Sequence, residues 1–182
     1  PSLESMFSRW DAPHYLDIAK HGYTADRSQG DLWLFIVFYP LYPALAALLK
    51  PLFGTEFNAA TFVSWASLAG ACTLLWKLAC LDSDKPAANR AVKYLLLFPA
   101  AVFLGAPYTE SLFLLLSALS LYSMRKDRWW LAGLAGFFAA LARNMGLLLV
   151  VPFAVELLDR LGALSEPRRL MTGQFWADFL KR

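Results

Sequence analysis

Residues 59–81 read AATFVSWASLAGACTLLWKLACL. As a helix at about 1.5 Å per residue, these 23 residues cross a hydrocarbon core of about 30 Å. Composition agrees with a bilayer setting. Of the 182 residues, 58% are apolar and 17% charged, against about 25% charged in a typical soluble domain. Aromatics make up 15%, with Trp 7, Tyr 7 and Phe 14. These figures exclude a disordered chain, a coiled coil and a nucleic-acid reader. Too little polar surface is left to cover a small soluble core.

On the N-terminal side of this run lie a polar, aromatic stretch, 1–31, and an apolar stretch, 32–49, interrupted by Pro40 and Pro43 and followed by Pro51. On the C-terminal side, a charged loop, 82–93, carries Lys85, Arg90 and Lys93. Then come Tyr94–Ala106, a break at Pro107–Glu110, Ser111–Met124, the tetrad Arg125-Lys126-Asp127-Arg128, Trp129–Ala142, the interruption Arg143-Asn144, and Met145–Leu158. A polar tail, 159–182, ends in Lys181 and Arg182. The four later runs are about 14 residues each, or about 21 Å as helices. Such short spans need flanking polar residues, a thinned bilayer or a water-filled cavity. The expected fold is all-α and polytopic: an external loop with juxtamembrane helices over 1–58, about five spans over 59–158, and a cytoplasmic tail or connector over 159–182.

Lys and Arg placement orients the spans. The basic segments 82–93, 125–128 and 159–182 fall on one side, the cytoplasm. Pro107–Glu110, Arg143-Asn144 and residues 1–58 fall on the other. In 1–58 the acids Glu4, Asp11, Asp17, Asp26, Asp31 and Glu56 outnumber the bases Arg9, Lys20, Arg27 and Lys50. This parity requires that 32–49 not span, and its prolines suit an element lying along the outer surface.

Cys72 and Cys80, eight apart in one helical run, cannot bridge each other and have no Cys or His partner, so they read as packing residues. The chain starts at Pro1 with no charged n-region and apolar stretch behind it, and reads as a piece of something longer.

Residues 11–22 read as a short helix, with Asp11 suited to the N-cap, Pro13 in the first turn and Gly22 at the end. Tyr15, Ile18 and Ala19 share a face suited to the membrane surface. Asp11 is then either a plain cap or a functional acid. His14 and His21 share a face with Asp17, where solvent exposure is the ordinary reading and metal binding the rarer one. Glu110, at the outer end of two apolar runs, is costly there and points to function, although a helix N-terminus also favours a carboxylate. Arg143 either serves an anionic ligand or snorkels to headgroups.

Four stretches carry a family resemblance: Arg9-Trp10-Asp11-Ala12-Pro13-His14-Tyr15-Leu16-Asp17-Ile18-Ala19; Phe38-Tyr39-Pro40-Leu41-Tyr42-Pro43; Phe98-Pro99-Ala100-Ala101-Val102-Phe103-Leu104-Gly105-Ala106-Pro107-Tyr108-Thr109-Glu110-Ser111-Leu112-Phe113; and Arg143-Asn144-Met145-Gly146. Their order resembles that in PIG-V-like mannosyltransferases, the second mannosyltransferases of glycosylphosphatidylinositol (GPI) anchor assembly, and their prokaryotic relatives. The resemblance runs from about Arg9 to Pro152. It implies a GT-C-like helical module, here a truncated N-terminal one, because the family has a span before the Asp loop and more at the C-terminus. It also implies an inverting transferase that moves a sugar from a polyprenyl- or dolichyl-phosphate donor to a lipid or glycan acceptor on the extracytoplasmic side. The membrane would be the cell membrane in a prokaryote and the ER membrane in a eukaryote. Asp11 matches the family's catalytic base, and Glu110 a second acidic position. Asn144-Met145-Gly146 departs slightly from the family's Arg motif.

The chemistry fits these residue types. A carboxylate deprotonates the acceptor hydroxyl, and an Arg fork matches phosphate oxygens. Asp11 is the expected base, Arg143 the donor-phosphate ligand and Glu110 the acceptor-positioning group. Arg9, Trp10, His14 and Tyr108 are supporting substrate-binding candidates. No cofactor is required. Should a divalent ion bind, Asp11 and Glu110 offer oxygen ligands. The competing readings are a transporter or flippase with a Glu110–Arg143 pathway pair, and an inactive fragment. The transferase reading makes a geometric demand. The helix starting at Asp11 must lie over the level of Glu110 and Arg143, and 32–49 must close a cavity wall lined by Trp10, Tyr39 and Tyr108.

Overall fold

The computed structural model describes residues 3–23 and 37–162, and among these every regular element is helical. Residues 32–36 of the expected surface element and 163–182 of the expected tail lie outside the described residues. The helices are α1 (Leu3–Phe7), α2 (Ala12–His21), α3 (Leu41–Phe53), α4 (Glu56–Asp82), α5 (Lys85–Leu97), α6 (Val102–Gly105), α7 (Glu110–Arg125), α8 (Trp129–Ala142) and α9 (Val150–Arg160). Single 3₁₀ stretches, Pro99–Ala101 and Asn144–Leu149, precede α6 and α9.

Local chemistry sets the ends of α4 and α5. Thr55, extended at φ −128° and ψ 156°, accepts the Asn58 N–H at 3.1 Å and starts α4, which satisfies one orphan donor of the first turn. Asp84 does the same for α5 through the Ala87 N–H at 2.8 Å, with Pro86 in the first turn. Most of the stretch expected as a loop, 82–93, is therefore helix. Phe98 takes an extended conformation before Pro99, as the residue before a proline must to avoid its ring. The expected run 94–106 is accordingly a broken rod, bent by 72° between α5 and the Pro99–Gly105 segment.

Among the described residues α4 is the one helix long and apolar enough to cross a bilayer, and the bent pair passes the same test only when taken together. At 16 and 14 residues, α7 and α8 are shorter.

Helices α4, α7 and α8 pack side by side through small residues. The buried positions are Ala59, Ala60, Ser64, Ser67 and Ala71 on α4, Ser111, Ala118, Ser120 and Ser123 on α7, and Ala132, Ala135, Ala139 and Ala142 on α8. Large apolar side chains point outward instead, among them Trp65, Phe137, Leu147, Val150 and Val151. Small residues inside and bulky ones outside let helix backbones approach closely and suit helices surrounded by lipid.

Cross-links at the two ends fix the directions. Near one end Ser64 reaches the Tyr108 carbonyl. Near the other, Arg125 grips Asp82 in a fork at 2.6 and 2.9 Å. Helices α4 and α7 therefore run parallel, joined by α5 and α6. Helix α8 returns antiparallel after the turn at Asp127, with Ser120 donating to the Ala132 carbonyl at 2.9 Å. Arg160 of α9 closes on Asp127 at 2.6 Å. One end of the bundle thus gathers 56–64, 105–112 and 139–146. The opposite end gathers 82–85, 120–132 and 156–160.

Helices α2 and α3 cap the first end. Tyr42, near the start of α3, bonds the Ala60 carbonyl and Ser64, while Phe53 at its end stacks on Phe62 at 4.4 Å. Positions about 16 Å apart on α3 thus touch a stretch of α4 only about 6 Å long. Helix α3 therefore packs against the first turns of α4. The face of α2 expected to meet the membrane is buried in protein: Ala12, Tyr15, Ile18 and Ala19 join Phe38, Tyr42, Ala60, Tyr108 and Ala142 in one apolar cluster.

Gly146 is pressed against α8. A Cβ there would lie 2.3 Å from the Ala139 carbonyl carbon and the Ala140 nitrogen, whereas a Cβ at Gly133 would meet nothing within 4 Å. Backbone cannot give way as a side-chain tip can. Gly146→Ala is therefore expected to destabilise the fold by about 2–3 kcal/mol, while Gly133→Ala stabilises α8 by about 0.5–1 kcal/mol. Thermal unfolding of the two variants checks this, the first lowering Tm and the second holding or raising it.

Candidate active site

The turn 106–109 between α6 and α7 is wholly buried. A buried turn needs partners for its peptide groups, and several in and beside this one are paired. Trp65 Nε1 donates to the Gly105 carbonyl at 2.9 Å, Ser111 to the Leu104 carbonyl at 2.6 Å and Ser64 to the Tyr108 carbonyl at 3.3 Å. The Tyr108 N–H turns back to the Ala106 carbonyl at 2.8 Å.

The turn ties the two parts of the expected site together. Tyr108 donates its hydroxyl to the Arg9 carbonyl at 2.6 Å, across 99 positions of chain. Phe103 packs its ring on Trp10 at 5.7 Å and on Tyr108 at 5.5 Å. The Arg9-Trp10-Asp11 segment is thereby fastened over the start of α7. Tyr108 is 4% exposed, so it holds this segment in place and does not line an open cavity as expected.

Immediately after the turn, Glu110 opens α7 and meets Arg143, which follows the last residue of α8. Arg143 Nη1 donates to Glu110 Oε1 at 2.5 Å and to Thr109 Oγ1 at 3.1 Å. Arg143 itself is extended at φ −154° and ψ 147°. The tight return at Gly146 fixes where its chain leaves α8, because the Gly146 N–H bonds the Arg143 carbonyl at 2.9 Å. Among the described residues Nε and Nη2 of the fork have no partner. Glu110 Oε2 is buried without a hydrogen-bond partner among the described residues.

Asp11 precedes α2 but does not cap it. Its backbone is already helical at φ −79° and ψ −18°, and its carboxylate makes no capping bond. A plain cap therefore does not account for this acid, which is exposed. Trp10 beside it has φ 51°, a left-handed conformation that a bulky residue adopts only when its surroundings impose it. Its indole is 72% exposed. The Arg9 side chain is also exposed.

Tyr15 connects the charged groups, and its burial, 8% exposed, was not foreseen. It is close enough to Thr109, Glu110, Arg143 and Asp11 for each to influence its phenol. Burial is the main cause that raises its pKa; Thr109 opposes it, Glu110 and Asp11 add to it and Arg143 subtracts. The phenol therefore stays neutral and keeps its donor. Tyr108 likewise is raised first by burial and then by Asp11 and Glu110. Two tyrosines thus feel both carboxylates, which places Asp11 and Glu110 on one end of the bundle.

The remaining candidates have other partners. His14 packs its ring on Phe38 at 5.0 Å, and His21 bonds Asp17 at 2.8 Å. The two histidines do not share a ligand position, and no cluster of three or more metal-ligating side chains occurs among the described residues. Tyr39 is half-buried. Sequence reading missed Tyr15, Thr109, Tyr42 and Ser64. No local signal marks them, because each finds its partner on a distant segment.

Residues 2–172 match a family model described as mannosyltransferase (PIG-V). The GPI alpha-1,6-mannosyltransferase 2 of Rattus norvegicus is 35% identical over 162 residues, 82% of this chain and 31% of that protein. The Homo sapiens protein of the same name is 34% identical over 156 residues, 79% of this chain and 30% of its own length. A GPI mannosyltransferase 2 of Yarrowia lipolytica is 44% identical over a shorter stretch of 71 residues. The chain spans about a third of the length of the mammalian relatives it matches. No solved structure matches. With nearly the whole chain covered by one family model, the chain belongs to the PIG-V mannosyltransferase family.

Proposed function

We propose that this chain forms the catalytic end of a multi-pass membrane mannosyltransferase, which transfers mannose from a polyprenyl- or dolichyl-phosphate donor to a hydroxyl of a lipid or glycan acceptor. The names of its relatives point to a GPI-type glycolipid as the acceptor. The observation that carries this reading is the convergence of Asp11, Glu110 and Arg143 around Tyr15 and Thr109.

The acceptor oxygen attacks the anomeric carbon as the bond from that carbon to the donor phosphate oxygen breaks. One such displacement inverts the centre. Asp11 takes the hydroxyl proton, a role that suits an exposed carboxylate with no capping duty. The departing lipid phosphate gains charge, and the free Nε and Nη2 edge of Arg143 can bind it by two parallel bonds. Glu110 holds Arg143 with one oxygen and so positions the Arg fork beside the acceptor. The apolar strip Leu147, Leu148, Val150 and Val151, exposed directly after Arg143, suits the isoprenoid tail.

About five spans, including the short α7, α8 and α9, carry the site on the extracytoplasmic face. Helix α3 lies along that face, and the basic end holding Lys85 and Arg125–Arg128 is cytoplasmic. Cationic residues stay on the cytoplasmic side because their translocation is disfavoured.

Two tests follow. Asp11→Asn in the full chain is expected to lower transfer by about 100-fold or more while donor binding persists. Full activity in that variant would remove Asp11 from the mechanism. Single cysteines replacing the exposed Lys20 or Lys126, in a background without Cys72 and Cys80, report sidedness. An impermeant maleimide should reach position 20 and not position 126 from the extracytoplasmic side; the reverse would overturn the orientation.

A further inference from the structure

Far from Asp11 and Glu110, α4 and the outward-lying α5 enclose an open groove of about 640 Å³. Its walls are Cys72, Thr73 and Trp76 on α4, and Asn89, Val92, Lys93, Leu96 and Leu97 on α5. The lining is graded along its length. Asn89 and Lys93 lie toward the basic end of the bundle, and Cys72, Leu96 and Leu97 toward its middle.

We propose that this groove binds an anionic membrane phospholipid, with the headgroup phosphate on Lys93 and Asn89 and an acyl chain along Cys72, Leu96 and Leu97. Charge complementarity carries the assignment. Lys93 lines the groove, Lys77 and Lys85 lie on the same two helices outside its lining, and none of the three has an ion-pair partner among the described residues. The nearby acids are occupied: Asp82 is forked by Arg125, and Asp84 caps α5. Lys93 is thus the cation of the groove's lining, with no carboxylate paired to it among the described residues.

Asn89 is oriented for the same task. Its Oδ1 accepts the Trp76 indole N–H at 2.8 Å. This turns the amide so that its Nδ2 hydrogens remain to donate to a phosphate oxygen. The indole at that level suits the interface between headgroups and acyl chains, and Lys93 can extend its ammonium to the headgroup while its stem covers apolar wall. The proposal rests on α4 and α5 lying in a bilayer and is independent of which residues carry transfer.

Cys72 is a native reporter inside the groove, and Cys80 on the same helix is outside its lining. The full chain is held in neutral detergent, and maleimide modification of each cysteine is followed by peptide mass. Phosphatidylglycerol should slow modification of Cys72 by about fivefold, the effect of one lysine near an anionic lipid, and leave Cys80 unchanged. Phosphatidylcholine should give little protection. Lys93→Gln should abolish most of the effect, Lys93→Arg should keep it, and an unchanged Cys80 rate in both shows an intact fold. Asp11→Asn should protect as the parent does, so failure of the transfer assignment is read separately. Equal slowing by both lipids, full protection in Lys93→Gln, or the same slowing by glycerol 3-phosphate alone would overturn the proposal.

Discussion

A turn buried among helices has no water to satisfy its peptide groups, so its neighbours must supply every partner. Ala106–Thr109 is such a turn, and the rest of the site depends on how that requirement is met. Trp65, Ser64 and Ser111 bond carbonyls in and beside it from α4 and α7. With its backbone held, the Tyr108 side chain can reach the Arg9 carbonyl, and the segment bearing Asp11 is pinned nearly one hundred positions away in sequence. Thr109, buried at the end of the turn, faces Arg143 and Tyr15 at once. The hydroxyl of Tyr42 extends the same network, bonding Ser64 and Ala60 where α3 packs on α4.

The packing of the helices supports this arrangement. Ala and Ser at the contacts of α4, α7 and α8 bring three helix ends close enough for one Arg to touch two residues of a neighbouring helix start. The glycine at position 146 allows the chain to fold back against α8 directly after Arg143. At the far end, Arg125 with Asp82 and Arg160 with Asp127 and Glu156 tie α4, α7 and α9. The Arg125–Asp82 pair is exposed on both sides, so it sets register more than it adds stability.

Much of the architecture was legible in sequence, because apolar runs broken by Pro and by charge mark helix ends whatever their partners. The 59–81 run, the break at 107–110 and the end of a helix before Arg143 are such cases. Helix α5 was not legible: its polar first half masks the Asp84 cap and Pro86, which begin a helix inside an apparent loop. The role of Tyr15 was also hidden. Its spacing with Ile18 and Ala19 defines an apolar face but does not say whether lipid or protein covers it. Tyr108 looked like a ligand-facing aromatic because nothing local reveals a partner at Arg9. For Asp11, a cap and a functional acid have the same sequence signature, and only the backbone angles and the unused carboxylate separate them.

The central claim is that Asp11 and Arg143, both close enough to influence the Tyr15 phenol, act on one substrate. A double-mutant cycle on transfer rate tests it most directly, with Asp11→Asn, Arg143→Lys and the double variant compared as kcat/KM with the same donor and acceptor. Residues that act as a unit are strongly non-additive, so the double variant should be little slower than Asp11→Asn alone. Losses that multiply independently would contradict a shared site and separate the two residues.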